Sequence, residues 1–173
     1  MRKLSLLNAA EQTLSIPNLY SLSISQGEIQ TIIVMTLHIP EVNTRDFPQT
    51  NNILKLYLPT ILRSTCYNED HLPFHKEVSR TEIGHLFEHI LLEFLCIIKL
   101  EKGYNFVSYE GVTDWNWIRD PKGTFHITIK ANSEELDILS EALDRSMSLL
   151  NGILSKEETI MLPLKILQTS TRH

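Results

Sequence analysis

Residues 81–95 read TEIGHLFEHILLEFL, and no other stretch so narrows what this chain can become. Ile83, Leu86, Phe87, Ile90, Leu91, Phe94, Leu95, Ile97 and Ile98 occupy most directions around a helix, leaving one polar edge. A helix with so wide an apolar surface needs a sheet or other helices around it. The spacing predicts a buried helix from about residue 80 to 100. Ser79 followed three residues later by Glu82 predicts a capping box, and Gly103 lies where a left-handed C-cap forms readily. Gly84 costs the helix about 1 kcal/mol relative to alanine. It points to dense packing or to close approach of a strand or substrate beside His85, and both readings stay open.

At 100° per residue, His85 and His89 lie about 40° apart and about 6 Å along the axis, so both imidazoles leave one edge. Glu93 continues that edge and Glu88 flanks it. Buried polar groups without partners cost several kcal/mol together, so this edge must meet water, hydrogen-bond partners or a cation. Two neutral imidazoles one turn apart suit zinc, although another divalent transition metal fits the same donors. Glu88, placed between them, can take a proton from water that the metal activates. The order H-x-x-E-H is that of the inverted zincins, in which the glutamate is the general base. The competing reading is a pair of histidines hydrogen-bonded at a solvated helix edge.

A third ligand is expected from outside the helix. Glu110, beside Gly111, is the nearest acidic candidate; Asp114, Glu141 and Glu93 are the alternatives. Glu93 lies about 12 Å along the axis from His85, too far to share an ion easily on a straight helix. Its expected role is to accept the other ring proton of His89 and fix the tautomer. Trp115 and Trp117 fall on one face of a strand, where they either wall a substrate groove or pack a hairpin. His71, His75 and His126 read as surface histidines.

Elsewhere, IQTIIVMTLHI (29–39) is β-branched and partly alternating, a strand stopped by Pro40. QTNNILKLYLPTILRS (49–64) carries a helical stripe that Pro59 should kink. Residues 67–78 read as a loop. YNFVSYEGVTDW (104–115) and GTFHITIKAN (123–132) predict a hairpin turned around RDPKG. A last helix should open at Ser133 and end near Gly152, and the apolar IMLPLKIL (160–167) reads as a packed terminal strand, with a partner-docking segment as the alternative. Strands and helices together predict an α+β fold: an antiparallel sheet with the motif helix and the last helix packed on one face. One domain spanning 1–173 is expected, with its core at about 16–152 and a tail at 153–173.

At 173 residues and 42% apolar, the chain can bury its own core without metal or disulfides. The net charge of −5, with no long basic run, excludes a nucleic-acid footprint or polybasic membrane surface. Acidic residues Glu69, Asp70, Glu77, Glu110 and Asp114 fall on segments expected to flank the helix, favouring a cationic peptide or polymer partner. A homo-oligomer is compatible with this balance. Cys66 and Cys96 lack a C-x-x-C spacing and are expected to be reduced. With neither a signal peptide nor a membrane-spanning run, a cytoplasmic location is expected.

The run GHLFEHILLEF resembles the N-terminal domain of cyanophycin synthetase, with Gly84, His85, Glu88, His89, Leu92 and Glu93 at the corresponding places. IPNLYS (16–21) is similar to the opening of that domain and LPTILRSTC (58–66) to its segment ending in cysteine; the likeness runs from about 16 to 150. It implies binding of an Asp-backbone, Arg-decorated polymer and, where the zincin-like motif is kept, metal-dependent cleavage of that polymer. A weaker likeness to pitrilysin-type peptidases covers the same run. No G-x-x-x-x-G-K-[ST] loop occurs, so ATP-driven ligation by this chain alone is not expected. The expected function is therefore a zinc-dependent hydrolase of a peptide or isopeptide bond. The alternative is a noncatalytic polymer-binding or assembly module.

Overall fold

The computed structural model describes residues 11–66, 72–131 and 133–155. Five antiparallel strands form one sheet in the order β1-β2-β3-β5-β4: β1 Glu11–Ile16, β2 Tyr20–Gln26, β3 Thr31–Leu37, β4 Gly111–Asp114 and β5 Thr124–Ile129. The helices are α1 Thr50–Tyr57, α2 Phe74–Glu77, α3 Ile83–Glu101 and α4 Leu136–Leu154. Strand alternation sorts the side chains. Tyr20, Leu22 and Ile24, then Ile33, Met35 and Leu37, then Phe125, Ile127 and Ile129 are buried on one face. Between them, Ser21, Ser23, Ile32, Thr36, His126 and Thr128 are half-buried or exposed on the other. The helices cover the first face, as an antiparallel α+β arrangement requires.

The motif helix is α3, buried by Leu86, Phe87, Ile90, Leu91, Phe94, Leu95 and Ile98 against the sheet and α4. Each such side chain removed from water contributes on the order of 2 kcal/mol, so burial rather than capping holds the helix in place. The expected capping box does not form: the helix starts at Ile83 with Glu82 as N-cap, and no side chain caps it. Segment 42–44 takes over that task. Ile83 N–H donates to the Val42 carbonyl at 2.9 Å, Thr44 N–H to the Thr81 carbonyl at 2.8 Å, and Thr81 N–H to Thr44 Oγ1 at 3.0 Å.

Other expectations shift by identifiable causes. The β1–β2 hairpin was hidden among serines; its alternation runs Tyr20-Ser-Leu22-Ser-Ile24, and Asn18 makes the turn at φ 63°. The stripe at 49–64 breaks rather than kinks: α1 stops at Tyr57, and Pro59–Arg63 continues as a 3₁₀ turn. Within the expected loop at 67–78, Phe74–Glu77 is helical because Phe74 is fully buried. The hairpin around RDPKG exists, but its first strand is only Gly111–Asp114. Gly103 takes φ 90° just past α3, as its position implied. The last helix is entered by a 3₁₀ turn over Ser133–Glu135 and runs two residues past Gly152. The strand expected at 160–167 and His71 lie outside the described residues.

Candidate metal centre

Alternation along β4 decides what faces α3. Gly111 and Thr113 pair with Ile129 and Ile127 on the inner face, while Val112 and Asp114 point away. Thr113 donates to Glu88 Oε2 at 2.5 Å. Gly111 makes room for the same carboxylate, since a Cβ there would stand 2.9 Å from Glu88 Oε1. Burial raises the Glu88 carboxyl to about 6, the Thr113 hydrogen bond opposing.

On the neighbouring edge of α3, His85 and His89 stand with ring centroids 4.7 Å apart. The segment after the 3₁₀ turn brings Cys66 to them, its Sγ 3.2 Å from His85 Nε2. One ligand atom each from Cys66, His85 and His89 lies within 4.8 Å of the others. Ligands on a tetrahedral zinc sit about 3.5 Å apart, so small side-chain rotations would bring all three onto one ion.

The outer nitrogens are also provided for. Ser64 donates its hydroxyl proton to the Ile61 carbonyl at 2.7 Å, so at 3.3 Å from His89 Nδ1 its oxygen accepts. That places the ring proton on Nδ1 and leaves Nε2 as the lone-pair nitrogen. His85 Nδ1 lies 2.7 Å from Thr81 Oγ1, with Nε2 toward the sulfur. Ligating histidines are characteristically oriented in this way through their second nitrogen. Phe74 stacks on His89 at 4.0 Å and meets His85 edge-on at 6.1 Å. Burial, then the neighbouring His85, pushes His89 down to about 3, and burial lowers His85 against the opposing Glu77 and Glu82 carboxylates. Both rings are thereby kept neutral, the form that ligates a metal.

The expected third ligand is elsewhere. Glu110 is exposed and ion-paired to Lys130 at 2.5 Å; Asp114 accepts from Trp115 N–H at 2.8 Å; Glu141 pairs with Arg145. Glu93, expected to hold His89, acts on Cys96 instead, and Ser64 has the imidazole. Of the flanking acidic residues, Glu77 is buried beside His85, while Glu69 and Asp70 are outside the described residues. Sequence reasoning missed Cys66, Ser64, Thr81 and Thr113; the one available signal was the segment 58–66 ending in cysteine.

A cavity of about 520 Å³ opens beside His85, with Thr113 and Trp115 in its wall. Trp117 does not reach it: its indole donates to the Thr124 carbonyl at 3.1 Å and packs on Phe125 at 5.7 Å. The close neighbour of Gly84 is that same Phe125 on β5, whose Cγ would be 2.3 Å from an added Cβ. His75 is exposed, as is His126, which meets Asp120 Oδ2 at 3.1 Å.

A family model, the cyanophycin synthase-like N-terminal domain, matches residues 32–151. The chain belongs to this family. The matched span includes β3 from Ile32, all four helices up to Asn151, the hairpin β4–β5 and every residue of the Cys-His-His cluster, so the candidate centre lies within the family's domain. No curated protein and no solved structure matches the chain. No helix among the described residues is long and apolar enough to cross a membrane.

Proposed function

We propose that this chain is a metal-dependent hydrolase of a peptide or isopeptide bond, with zinc held by Cys66, His85 and His89. The observation that carries the reading is the convergence of one sulfur and two neutral imidazoles, with the Ser64 and Thr81 hydroxyls on the Nδ1 atoms of His89 and His85. Three protein donors would leave a fourth position for water, the arrangement of catalytic rather than structural zinc sites. Zinc there would act as a Lewis acid toward water and the scissile carbonyl. Glu88 is the proton carrier. Thr113 occupies Oε2, which leaves Oε1 to accept the proton from water and deliver it to the leaving amine. A carboxyl titrating at about 6 is suited to both transfers near neutral pH. Trp115 supplies an apolar wall for the substrate in the adjoining cavity. Glu82, half-buried in the wall of that cavity, favours a cationic group on the chain being cut, as in an Arg-bearing polymer.

Elemental analysis after purification in metal-free buffer tests the centre, with about one zinc per chain expected. Glu88→Gln should retain that zinc and lose hydrolysis of a panel of peptides and β-linked Asp-Arg chains. Absence of any loadable metal removes the proposal. Full turnover by Glu88→Gln removes Glu88 from it, and a zinc-loaded wild type that binds the panel without cutting it is a noncatalytic polymer-binding module.

A further inference from the structure

The cavity beside His85 is lined by two arginines that have no side-chain partner among the described residues. Arg45 and Arg80 both line it, both are exposed, and neither guanidinium has a hydrogen bond or ion pair among the described residues. Arg63 and Arg119 are exposed and without a side-chain partner among the described residues as well, so what sets Arg45 and Arg80 apart is that both line one cavity. The backbones of Arg45 and Arg80 are held by one amide. Asn43 Oδ1 accepts from the Arg45 N–H at 3.1 Å, and Asn43 Nδ2 donates to the Arg80 carbonyl at 3.2 Å. The same seam continues into the metal centre, since Thr44 and Thr81 exchange backbone contacts and Thr81 braces His85 Nδ1. Asn43 thus ties the backbones of the two arginines to the segment that braces His85, and both residues line the cavity.

Two guanidiniums offer paired donors whose geometry matches a carboxylate, and charge-assisted bonds of this kind are about twice as strong as neutral ones. Neither carboxylate of the cavity forms an ion pair with them among the described residues. Glu82 faces Asn43 Nδ2 at 3.5 Å, and Glu77 is buried, acting on His85. We propose that Arg45 and Arg80 form a clamp for a carboxylate of the substrate, setting which bond is presented to the centre at His85. This rests on reading the cavity as the substrate site. The carboxylate is either the C-terminal one of a chain or an acidic side chain near the scissile bond.

Calorimetric titration of the full chain carrying Glu88→Gln, both zinc-loaded and metal-free, tests the clamp without turnover. The probes are trialanine, trialanine amide and Ala-Asp-Ala amide. Trialanine binding tightest identifies a C-terminal carboxylate, and Ala-Asp-Ala amide binding tightest identifies a side-chain one. The carboxylate probe should bind at least about tenfold more tightly than trialanine amide. Arg45→Ala and Arg80→Ala should each remove most of that difference, with the circular dichroism spectrum unchanged, while the lysine variants retain part of it. Equal affinity for all three probes, no binding of either carboxylate probe, or an unchanged preference in the double alanine variant overturns the proposal. Failure to load zinc overturns the hydrolase reading instead, and the metal-free titration still decides the clamp.

Discussion

Cys66 is the residue on which the metal reading turns, because the histidines alone offer two donors. Cys66→Ser should therefore lose stoichiometric zinc while keeping the fold, since serine fills nearly the same volume. Ser64→Ala should weaken zinc about 10- to 100-fold by releasing His89 Nδ1. Competition against a chromogenic chelator measures both, and wild-type affinity in Cys66→Ser would exclude the sulfur as a ligand. The buried titrating groups make a second test on metal-free protein. His89 falls from 6.5 to about 3 on folding, so its contribution is fully present above pH 6.5 and is lost as pH drops from 6.5 toward 3. His85 shifts in the same direction. Glu88 rises from 4.5 to about 6, so its protonation favours the folded state as pH falls from 6 to 4.5. Each slope is about 1.4 kcal/mol per pH unit at most. Wild type should thus lose little stability between pH 6 and 4.5 and more below, whereas Glu88→Gln should decline steadily from 6.5. Urea midpoints across pH report this, and parallel profiles for the two proteins would show that Glu88 does not titrate there.

At the scale of elements, two glycines let α3 approach the sheet, and they should respond differently to alanine. At Gly84 the added Cβ meets the base of the Phe125 ring at 2.3 Å, which has no room to withdraw. Overpacking of about 1–3 kcal/mol should outweigh the helix-propensity gain of about 1 kcal/mol. At Gly111 the nearest atoms are the ends of side chains, Ile129 Cδ1 at 2.8 Å and Glu88 Oε1 at 2.9 Å. Gly111→Ala should cost less stability than Gly84→Ala but displace the Glu88 carboxylate, lowering turnover more than melting temperature. Thermal melts beside an activity assay separate the two; a stabilised Gly84→Ala would contradict the packing argument. Helix periodicity made α3 and α4 legible because their apolar stripes are long. The short strands were harder. Serines alternating through β2 conceal a buried face, and β4 has only four residues, so its pairing depends on β5 rather than on its own pattern.

For the whole molecule, the cluster ties the segment ending at Cys66 to α3, so metal should stabilise more than its immediate ligands. Zinc at a hundredfold excess over its dissociation constant contributes about 2.7 kcal/mol, or roughly 5–10 °C in a chain of this size. Chelator-treated protein should melt lower by that margin and recover on adding zinc, with hydrogen exchange loosening first around residues 58–66. An unchanged melting temperature would argue against a bound ion. The local code of the chain determined the motif helix, its polar edge, the last helix and the α+β class, because periodicity and burial act over a few turns. It also set His85, Glu88 and His89 along one helix, since their spacing is covalent. Which atoms complete the site was decided only by tertiary packing. Cys66 lies 19 residues from His85 and Thr113 lies 25 from Glu88, and their approach depends on strand order and on where segment 42–44 seats the start of α3. Glu110 looked suitable because it follows the motif closely in sequence. Strand alternation left it outside the cluster, exposed and paired with Lys130, and a period of two cannot be read reliably from a four-residue strand.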